Sequence, residues 1–464
     1  MFSRMILLAL LLCPPFLSTG ISASDPPPRH AALLIGTMNF VRQDHTATLL
    51  ANGKVLLVGW DSKTAELFDP STGLFSTTGV TIANHKQGST ATLLNSGKVL
   101  IAGGVNALRV AELYDPDTGF FNLTDSLATV HSYHTATLLP DGRVLIAGGQ
   151  NHTGPQTHAV AEIYDPTSGT FTLTDSLRAH RSGHIAAPLP NGKVLIAGGI
   201  QTTTPGSGMY LSLCEEFDPS TRSFSMVPAM QTPRAAHTGT ILGNGKVLIG
   251  GGGWNSNVCE LYDYTTQTWT QTDTMSVIRR MYHEATLLSD GRVLFTGGST
   301  GSEMTATVDV YDPATNSFSS RDTMTTRRMS HTATRLLNGD VLITGGYGGT
   351  TALKSAEIIN GSVPTDVRRA RGERAQPTST ALEQNFPNPF NPCSDIRFQI
   401  SESGMTRLAV YDLLGREITV LVNEKKTPGN YEVRFDASGL ASGVYMYRLI
   451  TGAFVHARTM VILK

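Results

Sequence analysis

The sequence predicts an all-β protein, and three observations lead to this prediction. A stretch such as HTATLLPDGRVLIAGG, residues 134–149, recurs seven times at intervals of 44 to 53 residues. Each copy contains apolar runs of strand length, separated by turns rich in glycine, asparagine and aspartate. The chain of 464 residues has 46 glycines, which suits many tight turns. A repeat of this length is typical of a propeller, in which each copy forms one sheet, or blade.

Four strands are predicted in a copy: HTATLL, then the apolar VLIAGG, then AELYDP, and then an aromatic-led strand such as FFNLTDSL. An Asn-Gly, Ser-Gly or Asp-Gly pair joins the first two strands every time, as Asn52 and Gly53 do. Such a pair favours a two-residue hairpin with positive φ. The second strand is apolar without alternation, which indicates burial on both faces. The aromatic residue of the fourth strand is expected to pack between blades.

The two ends of the repeated region are expected to complete one blade. The last copy stops at SAEIIN, residues 355–360, without a fourth strand. The segment AALLIGTMNFVRQD before His45 matches the fourth strand of the other copies. The sequence therefore predicts a closed, seven-bladed β-propeller of four-stranded blades over residues 30–362.

The repeat resembles the Kelch family, whose repeats carry a glycine doublet, a strand ending in Tyr-Asp, and an aromatic residue about six positions later. Tyr114, Asp115 and Phe121 follow this pattern in the second copy, whereas Gly59 and Trp60 replace the doublet in the first. The resemblance implies a propeller like the central domain of galactose oxidase. The copper ligands of that enzyme, a Cys-linked Tyr with further Tyr and His, have no recognisable counterpart in the sequence.

Loop lengths favour one end of the ring for binding. The loops after the glycine doublet grow from four residues in the first copy to 14 in the fourth, while the turns at the other end are nearly uniform. Aromatic and polar side chains on such loops are common recognition groups. The alternative is that the loops vary because they tolerate insertion and bind nothing. The candidate binding residues are His152, His158, Met209, Tyr210, Trp254 and Tyr347.

Charged residues recur near the links between copies, at the same end of the ring. A basic residue stands three positions before each copy, and an acidic residue is second in each third strand. We expect a ring of partly buried ion pairs that joins the blades; the alternative is an open basic mouth for an anionic ligand. The basic residues are Arg42, Lys86, His131, Arg181, Arg234, Arg280 and Arg328, and the acidic ones are Glu66, Glu112, Glu162, Glu215, Glu260, Asp309 and Glu357.

A histidine begins six of the seven copies, which raises the question of a metal site. A metal needs several ligand atoms within about 2 to 2.6 Å, whereas equivalent histidines of a propeller would each face a neighbouring blade. We therefore expect each imidazole to cap a backbone group at the link between blades. No metal, cofactor or catalytic residue is predicted.

The start of the chain and its composition bear on location and partners. Residues 1–23 have a basic Arg4, an apolar run and small residues near Ala23, as a secretory signal peptide has. No later run is apolar enough to span a bilayer. A formal net charge of −1 argues against nucleic-acid binding. Cys214 and Cys259 occupy the same position in successive copies and are expected to be free thiols.

A polar, arginine-containing linker over residues 363–380 leads to a separate module, residues 381–464, whose short alternating strands predict a small Ig-like β-sandwich. This module resembles the type A sorting domain of the type IX secretion system of Bacteroidetes. The resemblance implies export through the periplasm and the outer membrane, with removal of the module by a sortase-like protease. The alternative is an accessory domain that stays attached and binds a ligand. The matching residues include Pro387, Asn388, Pro389, Phe390, Gly415, Gly443, Tyr445 and Lys464.

Together, these patterns predict a secreted or surface-displayed propeller that binds an extracellular glycan or protein partner through the loops of one face. The alternative is an extracellular carbohydrate-active or oxidase-like enzyme on the same scaffold. The secretion machinery and its sortase are the partners expected for the C-terminal module.

Overall fold

A computed structural model describes most of the chain. The described residues are 33–60, 63–105, 109–151, 156–204, 207–253, 257–360, 368–369, 379–391, 393–413, 415–437, 440–452 and 454–463. The predicted signal peptide and most of the predicted linker lie outside them. Among the described residues, no helix is long and apolar enough to cross a membrane.

Seven antiparallel four-stranded sheets form the described part of residues 33–360, as the repeats predict. We call them blades one to seven in the order of their innermost strands. Blades one to three follow one another along the chain: blade one is β2 (Thr46–Leu49), β3 (Val55–Val58), β4 (Thr64–Asp69) and β5 (Leu74–Val80); blade two is β6 (Ser89–Leu93), β7 (Val99–Gly103), β8 (Ala111–Asp115) and β9 (Phe120–Leu123); blade three is β10 (Thr135–Leu138), β11 (Val144–Ala147), β12 (Ala161–Asp165) and β13 (Thr170–Leu173). Blade four is β14 (Ile185–Pro188), β15 (Val194–Ala197), β18 (Cys214–Asp218) and β19 (Ser223–Val227), and a separate hairpin of β16 (Ile200–Thr204) and β17 (Ser207–Tyr210) lies between its second and third strands.

Blade five is β20 (Thr238–Ile241), β21 (Val247–Gly250), β22 (Val258–Asp263) and β23 (Thr268–Thr274); blade six is β24 (Glu284–Leu287), β25 (Val293–Thr296), β26 (Thr307–Asp312) and β27 (Ser317–Thr323); blade seven is β28 (Thr332–Arg335), β29 (Val341–Thr344), β30 (Leu353–Ile359) and the first strand of the chain, β1 (Leu33–Arg42).

The ring closes where the sequence predicts. Strand β1 pairs antiparallel with β30, and Leu34 lies opposite Glu357, so the first and last strands of the repeated region share blade seven. The innermost strands contact one another in the cyclic order β2, β6, β10, β14, β20, β24, β28 and again β2. The blades therefore surround a central channel.

The hydrophobic core lies between neighbouring blades. Strand β11 is fully buried, and its Val144 and Ile146 pack against Leu100 of blade two. The aromatic residue of the outer strand also contributes, since the Phe171 ring lies 4.8 Å from the Tyr164 ring across the β12–β13 pair. The outer aromatic thus packs on its own blade as well as at the interface between blades. This arrangement fits the apolar, non-alternating second strands.

The turn between the first two strands differs from the predicted two-residue hairpin. In blade one, the Gly53 N–H donates to the Leu50 carbonyl at 2.9 Å, and the Leu50 N–H donates to the Lys54 carbonyl at 2.8 Å. This pattern makes a three-residue loop in which only the glycine has a positive φ, of 82°. The side chain of Asn52 instead accepts the Lys54 N–H at 3.1 Å, which explains the preference for Asn and Asp before the glycine.

The C-terminal module contains two four-stranded sheets. One has the order β31 (Arg368–Arg369), β36 (Gly429–Asp436), β33 (Cys393–Ile400) and β32 (Ala381–Leu382); the other has the order β35 (Glu417–Lys426), β34 (Gly404–Tyr411), β37 (Gly443–Thr451) and β38 (Phe454–Ile462). Side chains of both sheets, such as Phe398 and Tyr447, form one buried core, as in the predicted sandwich. Strand β31 falls within the predicted linker, yet it pairs with β36.

Candidate functional site

The charged residues of the links form one repeated arrangement, which blade four illustrates. Arg181 lies in the link that precedes β14, and its Nη2 donates to Glu215 Oε1 on β18 at 2.6 Å. Arg181 Nη1 donates to the Gly198 carbonyl, at the first glycine of the doublet, at 2.8 Å. The Glu215 carboxylate also accepts the backbone N–H groups of Arg178 and Ala179. Each pair therefore fastens the incoming link to the blade that follows it.

All seven acidic residues of the predicted ring are paired, but two points of the prediction are wrong. Blade two uses His85 in place of Lys86, since His85 Nε2 lies 2.9 Å from Glu112 Oε1. The paired side chains are fully buried where partial burial was expected, because the β-sheets cover both ends of each pair. The pairs are Arg42–Glu66, His85–Glu112, His131–Glu162, Arg181–Glu215, Arg234–Glu260, Arg280–Asp309 and Arg328–Glu357, at 2.5 to 3.3 Å.

Burial and hydrogen bonding act in opposite directions on these groups. Burial lowers the pKa of Arg181, although the Glu215 charge partly offsets the effect. Burial alone would raise the pKa of Glu162, but hydrogen bonds from His131 and from the Ala128 N–H bring it below its ordinary value. Since the arginines are enclosed and neutralised, they do not form an open basic mouth.

Five of the six repeated histidines contact a threonine hydroxyl, contrary to the expected backbone caps. The exception is His237, whose two ring nitrogens have no hydrogen-bond partner among the described residues. His134 Nε2 lies 2.9 Å from Thr90 Oγ1 on the inner strand of the preceding blade, and His184 Nε2 lies 3.1 Å from Thr135 Oγ1. A threonine hydroxyl donates or accepts, so it can serve a neutral imidazole in either tautomer. Burial holds the pKa of both histidines well below the ordinary range. Among the described residues, no group of three or more His, Cys, Asp or Glu side chains could hold a metal ion.

The residue immediately before each repeated histidine, or before Ser89 in the second copy, belongs to a second ring, which the sequence did not reveal. All seven of these residues have a positive φ, between 45° and 72°. Six backbone hydrogen bonds of 2.9 to 3.2 Å connect them around the axis, for example from the Gly183 N–H to the Tyr133 carbonyl. We call this set the axial ring, and its members are Asp44, Gly88, Tyr133, Gly183, Ala236, Tyr282 and Ser330.

A cavity of about 490 Å³ opens at the axial ring, at the same end as the variable loops. We call it the mouth cavity. Its wall combines four tyrosines from four different blades or links with one carboxylate. The lining residues are Gln43, Asp44, Tyr133, Gln150, Ser182, Gly183, Ile200, Tyr210, Ala235, Ala236, Met281, Tyr282, Met329, Ser330 and Tyr347.

Partial burial shifts the pKa of three groups in the mouth cavity, Tyr133, Tyr282 and Asp44. Burial raises the pKa of Tyr133 to about 12, and the nearby Asp44 carboxylate adds to this effect. Burial likewise raises the pKa of Tyr282 and of Asp44. Tyr133 and Tyr282 therefore keep their hydroxyl protons at neutral pH, and a protonated hydroxyl can both donate and accept hydrogen bonds.

The structure separates the candidate binding residues into different places. Tyr210 and Tyr347 line the mouth cavity. Met209 is adjacent on β17 and 60 % exposed. His158 is half-buried, with its ring 4.7 Å from that of His131 and its Nε2 3.1 Å from the Val130 carbonyl, so it serves the link between blades. Burial lowers the pKa of His158 to about 4. Two further candidates, His152 and Trp254, lie outside the described residues.

Tyr133, Tyr282 and Asp44 of the mouth cavity are absent from the sequence-based candidates. The sequence-based candidates lie on the long loops after the glycine doublet, whereas these three residues stand directly before the repeated histidine. Their position holds Asp, Gly, Tyr, Gly, Ala, Tyr and Ser in the successive copies, so no one residue type recurs in most of them. The only available signal was the fixed distance from the repeated histidine.

The motif residues of the C-terminal module fix the chain between its two sheets. The Pro387 carbonyl accepts the Ser394 Oγ hydrogen at 2.7 Å, and Asn388 Oδ1 accepts the Val461 N–H at 2.8 Å. Pro389 follows a cis peptide bond, and Phe390 is buried in the core. These contacts tie the motif to β33 and to β38.

The other motif residues lie at turns and strand ends. Gly415 has a φ of 78° in the turn before β35, and its N–H donates to the Asp412 carbonyl. Gly443 begins β37, and Tyr445 on that strand donates its hydroxyl to the Ala441 carbonyl at 3.1 Å. Lys464 lies outside the described residues.

Residues 384–463 match the model of the secretion system C-terminal sorting domain. A sorting domain of this kind indicates secretion to the cell surface or the extracellular space. The match confirms the resemblance predicted for the C-terminal module.

The solved structures that resemble the chain include the following two. One is a fungal alcohol oxidase of the AA5 family in complex with copper, with a TM-score of 0.59, 15% identity, and coverage of 92% of this chain and 98% of that one. The other is the structure of YjhT, with a TM-score of 0.47 and 15% identity over 58% of this chain and 93% of that one. No curated protein matches the chain. At this identity, the likeness to the oxidase shows the fold alone.

Proposed function

For a chain that carries an export domain and a propeller, we propose that the propeller binds an extracellular saccharide in the mouth cavity. The observation that carries the proposal is the convergence of four tyrosines, Tyr133, Tyr210, Tyr282 and Tyr347, on one cavity at the axis. A volume of about 490 Å³ lies within the range of small-ligand sites and suits a sugar unit or a short oligosaccharide.

The lining chemistry supports a sugar over a purely apolar ligand. Tyrosine rings offer apolar faces to the C–H side of a pyranose, and their hydroxyls reach its polar groups. The side chains of Gln43, Gln150 and Ser182 add amide and hydroxyl groups that can donate and accept. Such a mixture of aromatic faces and paired donors and acceptors matches the alternating surface of a carbohydrate.

The scaffold holds this site in place. Tyr133 and Tyr282 belong to the axial ring, where backbone hydrogen bonds connect neighbouring blades. The ion pair of Arg280 with Asp309 anchors the link that carries Tyr282, and the pair of His131 with Glu162 anchors the link that carries Tyr133. Little ordering is then needed on binding, which favours affinity.

A glycan array probed with the full chain tests the proposal. We expect wild type to bind a defined set of saccharides, and we expect Tyr282→Ala to lose that binding because it removes one wall of the cavity. The matched control is Phe120→Ala, which removes a 66 % exposed aromatic ring on the outer strand β9. Equal binding by all three proteins, or no binding by wild type, would contradict the proposal.

A further inference from the structure

We propose that the saccharide carries a primary ammonium group, as an unacetylated amino sugar does, and that Asp44 is its counter-ion. This inference rests on the proposed function and names the ligand class of the same cavity. It concerns the charge of the site, which the tyrosines alone do not determine.

Asp44 is the only charged side chain among the fifteen residues that line the mouth cavity. Its closest basic neighbour in sequence, Arg42, is directed elsewhere: Arg42 Nη1 donates to the Gly59 carbonyl at 2.9 Å, and its Nη2 lies 3.3 Å from Glu66. The other arginines of the ion-pair ring are paired and buried in the same way. The cavity therefore presents a net negative charge at Asp44, whereas each acidic residue of the ion-pair ring has its own partner.

The environment of Asp44 favours a cationic ligand. Burial raises the pKa of this carboxyl, and hydrogen bonds from Ser330 and Gln43 only partly offset the effect. No basic side chain is among the causes of this pKa shift of Asp44. Asp44 interacts electrostatically with Tyr133 and Tyr282. Its negative charge adds to the effect of burial in raising the pKa of both hydroxyls. An ammonium beside Asp44 would supply the missing positive charge and stabilise the carboxylate.

The neighbouring groups suit a primary ammonium better than a quaternary one. A primary ammonium has three N–H donors, which need three acceptors. Asp44 offers two carboxylate oxygens, and the side-chain oxygens of Gln43 and Ser330 lie beside it on the cavity wall. Tyr133 and Tyr282 also line the cavity, and the face of a tyrosine ring can attract a cation. A quaternary ammonium would leave the polar acceptors without donors.

The test compares glucosamine oligomers with their N-acetylated and neutral glucose counterparts of the same length. Titration calorimetry is done with the full chain at pH 6, where a primary amine is protonated. We expect the amine form to bind at least tenfold more tightly than the acetylated form. Asp44→Asn should remove this preference. Asparagine keeps the shape of the side chain and tolerates the φ of 45° at this position.

The outcomes separate the inference from the proposed function. Equal affinity for amine and acetylated oligomers, with loss of both in Tyr282→Ala, would overturn the inference and leave the saccharide site intact. Absence of binding by any oligomer would overturn both. If Asp44→Asn fails to fold, the salt dependence of wild-type binding decides: the amine preference should shrink in 0.5 M salt, because an ion pair accessible from the cavity is screened, and an unchanged preference would contradict the inference.

Discussion

Arg181 Nη2 and Glu215 Oε1 lie 2.6 Å apart, and neither side chain is exposed to solvent. The pair connects the link that enters blade four with the third strand of that blade, and the same contact recurs with small variations around the ring. The links carry the axial ring, so these buried pairs determine where the walls of the mouth cavity stand. The stability of the propeller and the shape of the proposed binding site are therefore coupled.

Glu215→Gln should destabilise the propeller by about 3 to 5 kcal/mol, because it leaves the Arg181 guanidinium buried without a counter-charge. Urea unfolding followed by circular dichroism measures the change. The matched control is Lys98→Gln, which breaks the ion pair of the partly exposed Lys98 with Asp115 and should leave the transition nearly unchanged. A Glu215→Gln variant as stable as the control would show that the pair is dispensable.

The free energy of unfolding should fall as the pH drops below about 6.5. Burial lowers the pKa of His237 and His331 to about 3, and that of His45, His134, His184 and His283 well below the ordinary value. The unfolded chain binds these protons below pH 6.5 while the folded chain does not. Each histidine then contributes a slope of up to about 1.4 kcal/mol per pH unit.

Glu112 and Glu162 add to this trend at lower pH. Their folded pKa values are lowered, so their contribution is present above the unfolded value and lost as the pH falls through the folded one. Urea titrations of the propeller transition at pH 7.5, 6 and 5 measure the slope. A free energy of unfolding that stays flat between pH 7.5 and 5 would show that the histidines are protonated in the folded state.

Glu284→Thr should stabilise the protein. At this position Thr90, Thr135 and Thr238 hydrogen-bond the histidine of the next blade, whereas Glu284 stands there in blade six and His331 contacts Thr296 instead. Although Glu284 keeps some exposure along the channel, the surrounding protein raises its pKa to about 8. The folded chain thus binds a proton that the unfolded chain has released, so the contribution of Glu284 is lost as the pH rises from about 4.5 to 8.

Thermal or urea unfolding at pH 5 and pH 8 checks this prediction. The gain should reach about 1 to 2 kcal/mol at pH 8, from the removed carboxyl and one restored hydrogen bond, and should shrink at pH 5. Glu284→Gln, which removes the titration and keeps the shape, separates the two contributions. A gain that is larger at pH 5 than at pH 8 would contradict the assignment.

Gly148→Ala should cost about 2 to 4 kcal/mol. The φ of Gly148 is 62°, and a Cβ there would lie 2.8 Å from both the Arg181 carbonyl oxygen and His184 Cε1 of the next blade. Gly243→Ala is the control, since a Cβ at Gly243 meets no atom within 4 Å. Urea midpoints of the two variants give the comparison. Equal stability would mean that the doublet does not limit how closely the blades approach.

The architecture could be predicted from the sequence because seven copies repeat the same pattern of strands and turns. The strand order, the shared last blade and the acidic side of the buried pairs follow from positions that recur. The prediction from the repeats was wrong where one copy deviates. In blade two the partner of Glu112 is His85 and not Lys86, because the basic position is shifted by one residue, and the sequence alone does not show such a shift. The mouth cavity escaped prediction for the opposite reason: its ring repeats a backbone conformation, while its side chains, such as Asp44 and Tyr133, differ from copy to copy.

A crystal structure of the full chain with a bound amino-sugar oligomer tests the central claim most directly. The account predicts that one sugar ring occupies the mouth cavity between Tyr133 and Tyr282, with its ammonium within 3.2 Å of an Asp44 carboxylate oxygen. A sugar bound on the outer strands or on the C-terminal module, with the mouth cavity empty, would contradict it.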